Sequence, residues 1–485
     1  MRKIILLFVL VLLGCQTGNV KKTVNKPNVL LFYLDDLRPE LPSFGANHIQ
    51  APNIDALAKK GITFTNAYCN IPVCGASRAS MLTGMLPTKY RFLDYNTFAE
   101  KETPTAISLP QLFKENGYTT ISNGKIYHHL DDREKDWNEV WRPYAFDKNN
   151  SGLAPTDYWQ SLWKDYHNPK NRSRYKETDR GPAFESAEVS DVTYIDGLLT
   201  EKVIGDLKKL KGTGEPFFLT AGFINCHLPF NAPKKYWDLY DRNNIKQPEN
   251  YNYIPKLAPK ISISNWAEMR SYTNIPKKGQ VSDSLAIDLI HGYYATISYT
   301  DALIGKILLA LEQQQLSQNT IIVFVSDHGY NLQEHTQWAK FTNYNTSTQV
   351  PLIIYAPMLK TQGKTEALTA LVDIYPTLAE LCELKVPKAQ LEGRSLVGVL
   401  KNPAAVGKDH VFIKKTNGFT IKTKDFSYTE FISPKDNSIV DRMLYDHRIT
   451  KSENINVVNQ KVFKNTVSKL HLILRSKYIK HIEGR

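Results

Sequence analysis

Cys74 opens the segment Cys74-Gly75-Ala76-Ser77-Arg78-Ala79-Ser80-Met81-Leu82-Thr83-Gly84, with an arginine four residues on and Leu-Thr-Gly at its close. Read alone, such a cysteine is a buried or idle thiol at the start of a helix. The alternative is a cysteine that takes part in chemistry, with the neighbouring arginine as a partner. Three acids, Asp35, Asp36 and Asp327, each follow an apolar run. Adjacent acids at a strand end are by default turn or helix-cap residues. Three carboxylates converging on one point, however, would repel one another unless a cation neutralised them. Arg78, Lys125 and Lys340 are by default solvated surface charges, and His128 and His227 are by default structural or exposed. In a site, the two histidines could act as general acid and base in the pH range that histidine serves.

All of these residues depend on the elements that end beside them. Asn28 to Leu34 is a buried-type strand ending at Asp35-Asp36, and Thr320 to Ser326 is the clearest strand of the chain, ending at Asp327-His328-Gly329. Thr119 to Ser122 leads into Gly124-Lys125, Pro216 to Phe223 is followed by Asn225-Cys226-His227, and Val350 to Tyr355 is one more strand. Pro52 to Gly61 and Leu285 to Gln314 carry helical patterns. Apolar strands alternating with helices predict an α/β fold: a large, mixed but mostly parallel sheet sandwiched by helices. In such a sheet, sites assemble just past the carboxyl ends of the strands, where these polar residues sit. Residues 130–190 and 225–285 lack clean periodicity, and their aromatic content predicts ordered loops over a site. Past residue 404, Val411-Phe412-Ile413, Phe419-Thr420-Ile421, Phe426 to Thr429 and Met443 to His447 read as short strands, with Asn417-Gly418 as a hairpin signal. Val462, Phe463, Val467, Leu470 and Leu474 fit one face of a terminal helix. The expected divisions are therefore a catalytic domain over 28–404 and a small C-terminal antiparallel sheet plus helix over 405–485.

The 485 residues suffice for a large core, and the formal charge of +13 suits a polyanionic partner or simply a soluble basic surface. No zinc knuckle or basic-region helix points to nucleic acid. Arg2-Lys3 followed by the apolar run Ile4 to Leu13 reads as a signal peptide, too short to span a bilayer. It ends in Leu12-Leu13-Gly14-Cys15, which resembles a bacterial lipobox. Residues 1–15 are thus expected to be a lipoprotein signal peptide, with a lipid on Cys15 and a polar tether over 16–27. This implies a bacterial cell envelope location, periplasmic or outer-membrane. Five cysteines are present, and with Cys15 and Cys74 set aside the odd remainder does not read as a disulfide framework. Cys69 and Cys382 are expected to be packing residues.

The cysteine segment resembles the signature of the formylglycine sulfatases. The chain as a whole looks like a type I sulfatase of the alkaline phosphatase superfamily, nearest the iduronate-2-sulfatase branch. The resemblance runs from Asn28 to Arg394 and more weakly to Asn456. It is carried by Tyr33-Leu34-Asp35-Asp36-Leu37-Arg38, the cysteine signature, Gly124-Lys125-Ile126-Tyr127-His128, Cys226-His227-Leu228-Pro229-Phe230, Ser326-Asp327-His328-Gly329 and Trp338-Ala339-Lys340. It implies a maturation enzyme that oxidises Cys74 to formylglycine. It also implies one divalent cation, Ca²⁺ or else Mg²⁺, held by Asp35, Asp36, Asp327, His328 and the oxygen that replaces the Cys74 sulfur. Arg78 would hold the aldehyde hydrate, and Lys125 and Lys340 would hold sulfate oxygens. Fixed cations of this kind stabilise the charge spread over a transferring sulfuryl group. One hydroxyl of the hydrate would attack sulfur, His227 would protonate the departing sugar oxygen, and His128 would take a proton from the second hydroxyl to expel sulfate. The implied substrate is a sulfated polysaccharide or its oligosaccharides, an algal glycan such as ulvan or a glycosaminoglycan. The alternatives are a phosphomonoester or phosphonate hydrolase of the same superfamily, and a glycan-binding lipoprotein without turnover.

The chain departs from the pattern in three places. Ala76 stands where Pro is commoner, Asn225-Cys226 where Lys-Pro is common, and Gln333-Glu334-His335-Thr336 where Gly-Glu-His-Gly is usual. The last two are expected near the substrate mouth, so the resemblance carries the sulfate-cleaving core and not iduronate as the substrate. Trp266, Arg270 and Tyr330 are candidates for sugar contact, with packing as the default reading.

Overall fold

The structure is a computed structural model that describes residues 26–129, 131–143 and 165–482. The leader, Cys15 and nearly all of the tether lie outside the described residues, as do residues 144–164 of the first aperiodic region.

An eight-stranded sheet forms the centre. Its strands are β1 (Asn28–Leu34), β2 (Ile62–Phe64), β3 (Thr119–Gly124), β4 (Glu139–Trp141), β5 (Phe217–Gly222), β6 (Thr320–Ser326), β7 (Leu352–Tyr355) and β8 (Gly363–Thr365), in the order β8-β2-β7-β6-β1-β5-β3-β4. Only β7 runs against the rest. The continuous apolar run of β1 has its explanation in two cores: Leu30, Phe32 and Leu34 pack into one, and Val29, Leu31 and Tyr33 into the other. A strand covered on both faces has no polar side to show.

Helices α1 (Pro52–Lys60), α2 (Cys74–Thr83), α3 (Ile195–Thr213) and α4 (Asp283–Gln313) supply the covering layers. The Ser282 hydroxyl caps α4 by accepting the Leu285 N–H at 3.3 Å. Tyr293, on the buried face of α4, accepts the Arg38 N–H at 3.0 Å and donates to the Asp36 carbonyl at 2.8 Å. One phenol thus clamps the turn that follows β1.

A second, antiparallel sheet carries β9 (Val411–Lys415), β10 (Gly418–Lys422), β11 (Phe426–Ile432) and β12 (Ile439–Asp446) in sequential order, with the terminal helix α5 (Lys464–Ile482) against it. Two details differ from expectation. The tight turn is Thr416-Asn417, one residue earlier than the Asn417-Gly418 signal, because Gly418 pairs with Lys415 as the first residue of β10. Its glycine serves close approach instead: a Cβ there would lie 2.7 Å from Asn343 Oδ1 and 2.8 Å from the Phe431 ring. Phe463, Leu470 and Leu474 are buried as the periodicity predicts, but Val462 precedes α5 and is 78% exposed. The sheet is tied to the body where Asn70 donates to the Phe412 carbonyl at 2.8 Å and Asn343 to that of Gly418 at 3.2 Å.

Candidate active site at the carboxyl edge of the sheet

Strand register delivers the acids. Leu34 pairs with Ser326 in neighbouring parallel strands, so Asp35 and Asp327 leave the same sheet edge side by side. Lys125 arrives next to them through a glycine pair. Gly124 faces Gly222 with φ +69°, and a Cβ on Gly124 would sit 2.2 Å from the Gly222 carbonyl oxygen. The Lys125 N–H bonds that carbonyl at 2.8 Å, and its ammonium pairs with Asp35 Oδ2.

Cys74 is the first residue of α2 and is buried. Gly75 lets the Tyr95 backbone lie against the helix start, where a Cβ would meet the Tyr95 carbonyl oxygen at 2.6 Å. Cys74 Sγ lies 3.3 Å from His328 Nε2. Burial, reinforced by Asp35, pushes the thiol well above its ordinary pKa. The unmodified sulfur is therefore a neutral thiol and a poor nucleophile. Arg78, one turn along α2 and fully buried, lies over the Tyr33 ring at 4.4 Å. It donates to Asp327 Oδ2 at 2.8 Å, to the Leu34 carbonyl at 3.1 Å and to the carbonyl of Lys125. Arg78 is a strut that joins α2 to three strand ends.

The remaining charges interlock. Asp36 sits in the left-handed region at φ +59° and receives the Lys340 ammonium on both oxygens, at 2.9 and 3.0 Å. His328 Nδ1 is 3.3 Å from Asp36 Oδ1, and Asp327 Oδ1 accepts the His328 N–H at 2.9 Å. Burial acts on both leading acids, but Lys125 and Arg78 outweigh it at Asp35, which is held well below the usual carboxylate range. At Asp36 burial prevails over Lys340, His227 and His328, and the pKa is raised.

The two histidines are tuned apart. His128 is half-buried, and burial together with the Lys125 charge pushes it well below its ordinary pKa. Burial and Lys340 also act to lower His227, but Glu268, Asp36 and Asp35 outweigh them and raise it. Its Nδ1 lies 2.6 Å from the Leu228 carbonyl oxygen and its Nε2 lies 2.8 Å from Glu268 Oε1. With an acceptor at each ring nitrogen, the geometry suits a ring holding a proton on both. A neutral base and a protonated acid is the division of labour that the resemblance implies.

Glu268 was not among the residues read from the sequence. It bridges His227 and, at 3.4 Å, Lys340. It lies in the aperiodic region between the two residues that were singled out, Trp266 and Arg270, and those two position it. Arg270 stacks on Trp266 at 3.5 Å and donates to the carbonyls of Asn265 and Pro276, locking the turn. Trp266 and Tyr330 are buried; Tyr330 stacks on Tyr293 at 5.6 Å. All three are packing residues.

Asp35, Asp36, Cys74 and His328 bring one donor atom each within 4.8 Å of one another. Asp35 Oδ1 is buried and accepts no hydrogen bond. Two carboxylates, one of them with a buried oxygen that accepts no hydrogen bond, and an imidazole fit a divalent cation. Asp327, the fifth expected ligand, adjoins this group with Oδ1 3.6 Å from His328 Nε2 while Oδ2 serves Arg78.

The departures from the family pattern divide. Cys226 is buried in the core, whereas Asn225 lines a small cavity with Asp196 and Asn231, and Glu334 and His335 line a cavity of about 300 Å³ with Arg38 and Glu40. Gln333 and Thr336, where glycine is usual, hold φ +84° and +63°, so the glycine-type backbone persists under side chains that disfavour it. Glu334 pairs with Arg38, and His335 lies 2.9 Å from the Ser452 carbonyl oxygen, so the loop is anchored towards the C-terminal region.

Known proteins resemble this chain in sequence and in fold. A family model described as Sulfatase matches residues 27–384, and one for the N-sulphoglucosamine sulphohydrolase C-terminal region matches 333–480. The chain is 32% identical to human iduronate 2-sulfatase over 435 residues, covering 79% of this chain and 74% of that protein. It is 30% identical to a sulfatase of Formosa agariphila over 492 residues, covering 97% and 91%. A protein solved in complex with its substrate D-glucosamine-2-N,6-O-disulfate shares the fold with TM-score 0.73 at 20% identity, covering 95% of this chain and 99% of that one. The phosphonate monoester hydrolase of Silicibacter pomeroyi shares it with TM-score 0.74 at 21% identity, covering 95% and 97%. The family model over residues 27–384 and relatives at 30% and 32% identity over most of the chain lead to one conclusion: this chain belongs to the sulfatase family.

Proposed function

We propose that this sulfatase removes sulfate from a sulfated polysaccharide or its oligosaccharides, a glycosaminoglycan or an algal glycan such as ulvan, using formylglycine made from Cys74 by a maturation enzyme. The observation that carries the reading is the convergence of Cys74, with its poorly nucleophilic thiol, on Asp35, Asp36, His328, Lys125 and Lys340 at one sheet edge. The relatives point the same way: human iduronate 2-sulfatase among the sequences and the glucosamine-disulfate complex among the structures.

Asp35, Asp36, Asp327 and His328 would hold one divalent cation, Ca²⁺ by preference for oxygen donors, which with the aldehyde would supply Lewis acidity and the nucleophile. The chain's own residues do the rest. Lys125 and Lys340 present ammonium groups where sulfate oxygens must rest, and Arg78 braces the helix start that carries residue 74. His227 delivers a proton to the departing sugar oxygen. His128, kept neutral, takes one from the residue-74 side when sulfate leaves. A lipid on Cys15 would hold the enzyme in the bacterial envelope, periplasmic or outer-membrane, where glycan fragments arrive.

Peptide mass spectrometry across Cys74, on protein made with a maturation enzyme, tests the central step. Conversion lowers the mass by about 18 Da, a carbonyl oxygen replacing a thiol and a hydrogen. A retained thiol in protein that still cleaves sulfate esters would refute it. Phosphonate hydrolases share the fold, so matched sulfate and phosphate esters belong in the assay. Faster phosphate turnover would favour that reading instead.

A further inference from the structure

A cavity of about 250 Å³ lies at the hairpin end of the small sheet, lined by Lys89, Leu93, Asp94, Lys414, Lys415 and Phe419 among others. Lys414 is only 4% exposed, and the carboxylates whose charges favour its ammonium, Asp94 and Glu102, do not offset its burial and the neighbouring Lys415. Lys415 donates to Thr416 Oγ1 at 2.6 Å and Lys89 to Asn437 Oδ1 at 3.0 Å, so neither is neutralised by an acid. Asp94, the one acid in the lining, accepts the Asn96 N–H at 2.8 Å. Burial and the neighbouring Lys415 depress Lys414 to about 8. A buried ammonium beside a second one is unfavourable unless an anion completes it.

Two contacts link the cavity's lining to the residues proposed to hold sulfate. The Lys340 ammonium lies 5.7 Å from the Phe341 ring centroid and the Lys415 ammonium 5.5 Å from the same centroid, which keeps the two charges within about 11 Å. The loop that supplies Lys89 and Asp94 continues to Tyr95, whose backbone packs on Gly75 and whose ring is 6.4 Å from that of His128.

We propose that this cavity is a subsite for a second acidic group of the substrate, a sulfate or a carboxylate on the sugar next to the one being desulfated, received by Lys414, Lys415 and Lys89. The inference rests on the glycan reading above. It makes the enzyme a reader of charge pattern along a chain: Lys340 and Lys125 take the sulfate that leaves, and the hairpin lysines take an anion that stays. Leu93, which is exposed, offers apolar surface to a sugar face.

Kinetics on 4-nitrocatechol sulfate and on a heparin-derived tetrasaccharide, with wild type, Lys414→Met, Lys415→Gln and Lys89→Gln, test it. Each variant should lose about tenfold or more in kcat/KM on the tetrasaccharide and stay within about twofold on the aryl ester, which has no second anion to place. Equal change on both substrates, or none on either, overturns the subsite. Lys415→Gln and Lys89→Gln keep the test open should Lys414→Met fold poorly. Carboxyl-reduced and partly desulfated tetrasaccharides separate the sources: whichever anion's removal abolishes the difference between wild type and variant is the one bound. If wild type cleaves neither ester, the sulfatase reading fails by itself. Calorimetric titration of the tetrasaccharide into wild type and Lys414→Met then still decides the subsite, with unchanged affinity overturning it.

Discussion

Lys340 and Lys414 are the same residue at nearly the same depth, and their surroundings treat them oppositely. Lys340 is 1% exposed and Lys414 4%. Burial disfavours both charges, but Asp36, Glu268 and Asp35 outweigh it at Lys340 and raise its pKa well above normal, whereas at Lys414 Lys415 reinforces it against Asp94 and Glu102, and the pKa falls to about 8. At the sheet edge every buried charge faces an opposite one, so that region is a finished electrostatic unit that substrate must enter by competing. The hairpin cavity sets a single lining acid, Asp94, against Lys89, Lys414 and Lys415, so an arriving anion meets an excess of positive charge. Buried lysine is thus not one kind of feature: what faces it decides whether it holds a structure together or waits for a ligand.

The contrast breaks hardest at the finished unit. Cys74→Ala should abolish turnover, by roughly 10³-fold or more, with unchanged circular dichroism, because the residue is a reagent and not a packing unit. Near-normal sulfate release by that variant would sink the mechanism. Lys340→Met removes the partner of a buried carboxylate. It should lower kcat/KM by about 10²–10³-fold and destabilise by about 3–5 kcal/mol in urea unfolding; a stable, active variant would show that Asp36 does not need it.

Glu268→Gln tests the bridge missed in the sequence. Glu268 raises His227, as do Asp36 and Asp35, while Lys340 opposes them. His227 must carry its proton to act as acid, so removing the Glu268 charge should move the alkaline limb of the kcat profile to lower pH. An unmoved limb would assign that limb to another group.

Lys414→Met sharpens the comparison from the other side, because it should stabilise the protein. The folded pKa of about 8 lies below the unfolded value, so the unfolded chain binds more protons between the two. Stability therefore rises with pH from about 8 towards the ordinary lysine value and carries the full penalty below about 8. At pH 7 the substitution should add on the order of 1–3 kcal/mol, read as a higher melting temperature; a fall would mean that Lys414 has a structural partner. The smallest effect is expected at Thr336→Gly, where φ +63° suits glycine better. A gain of about 1 kcal/mol in denaturant unfolding, with unchanged kcat, would confirm strain at that turn.

Much of this was legible in advance because it is local. β1 and β6 are continuous apolar runs ending in acids, and their observed limits are those the pattern predicts. Cys74 at a helix start and Lys125 after a Gly-ended strand follow from short segments. Glu268 was not legible: its turn has no periodicity, and nothing in the order of residues says that it folds over His227 from 41 positions away. The hairpin turn was misplaced by one residue because Gly418 is required by Asn343 and Phe431, contacts that no local rule contains.

By itself, the sequence determined the alternating α/β architecture, the cysteine signature and which polar residues leave the carboxyl ends of strands, since strand and helix periods and turn chemistry are properties of neighbours along the chain. Only tertiary structure decided how the charges pair: which lysine meets an aspartate, which meets another lysine, and which carboxylate sits on His227. The sign and size of a buried charge's energy depend on distances of a few ångströms between segments far apart in sequence, and those distances exist only once the chain is packed.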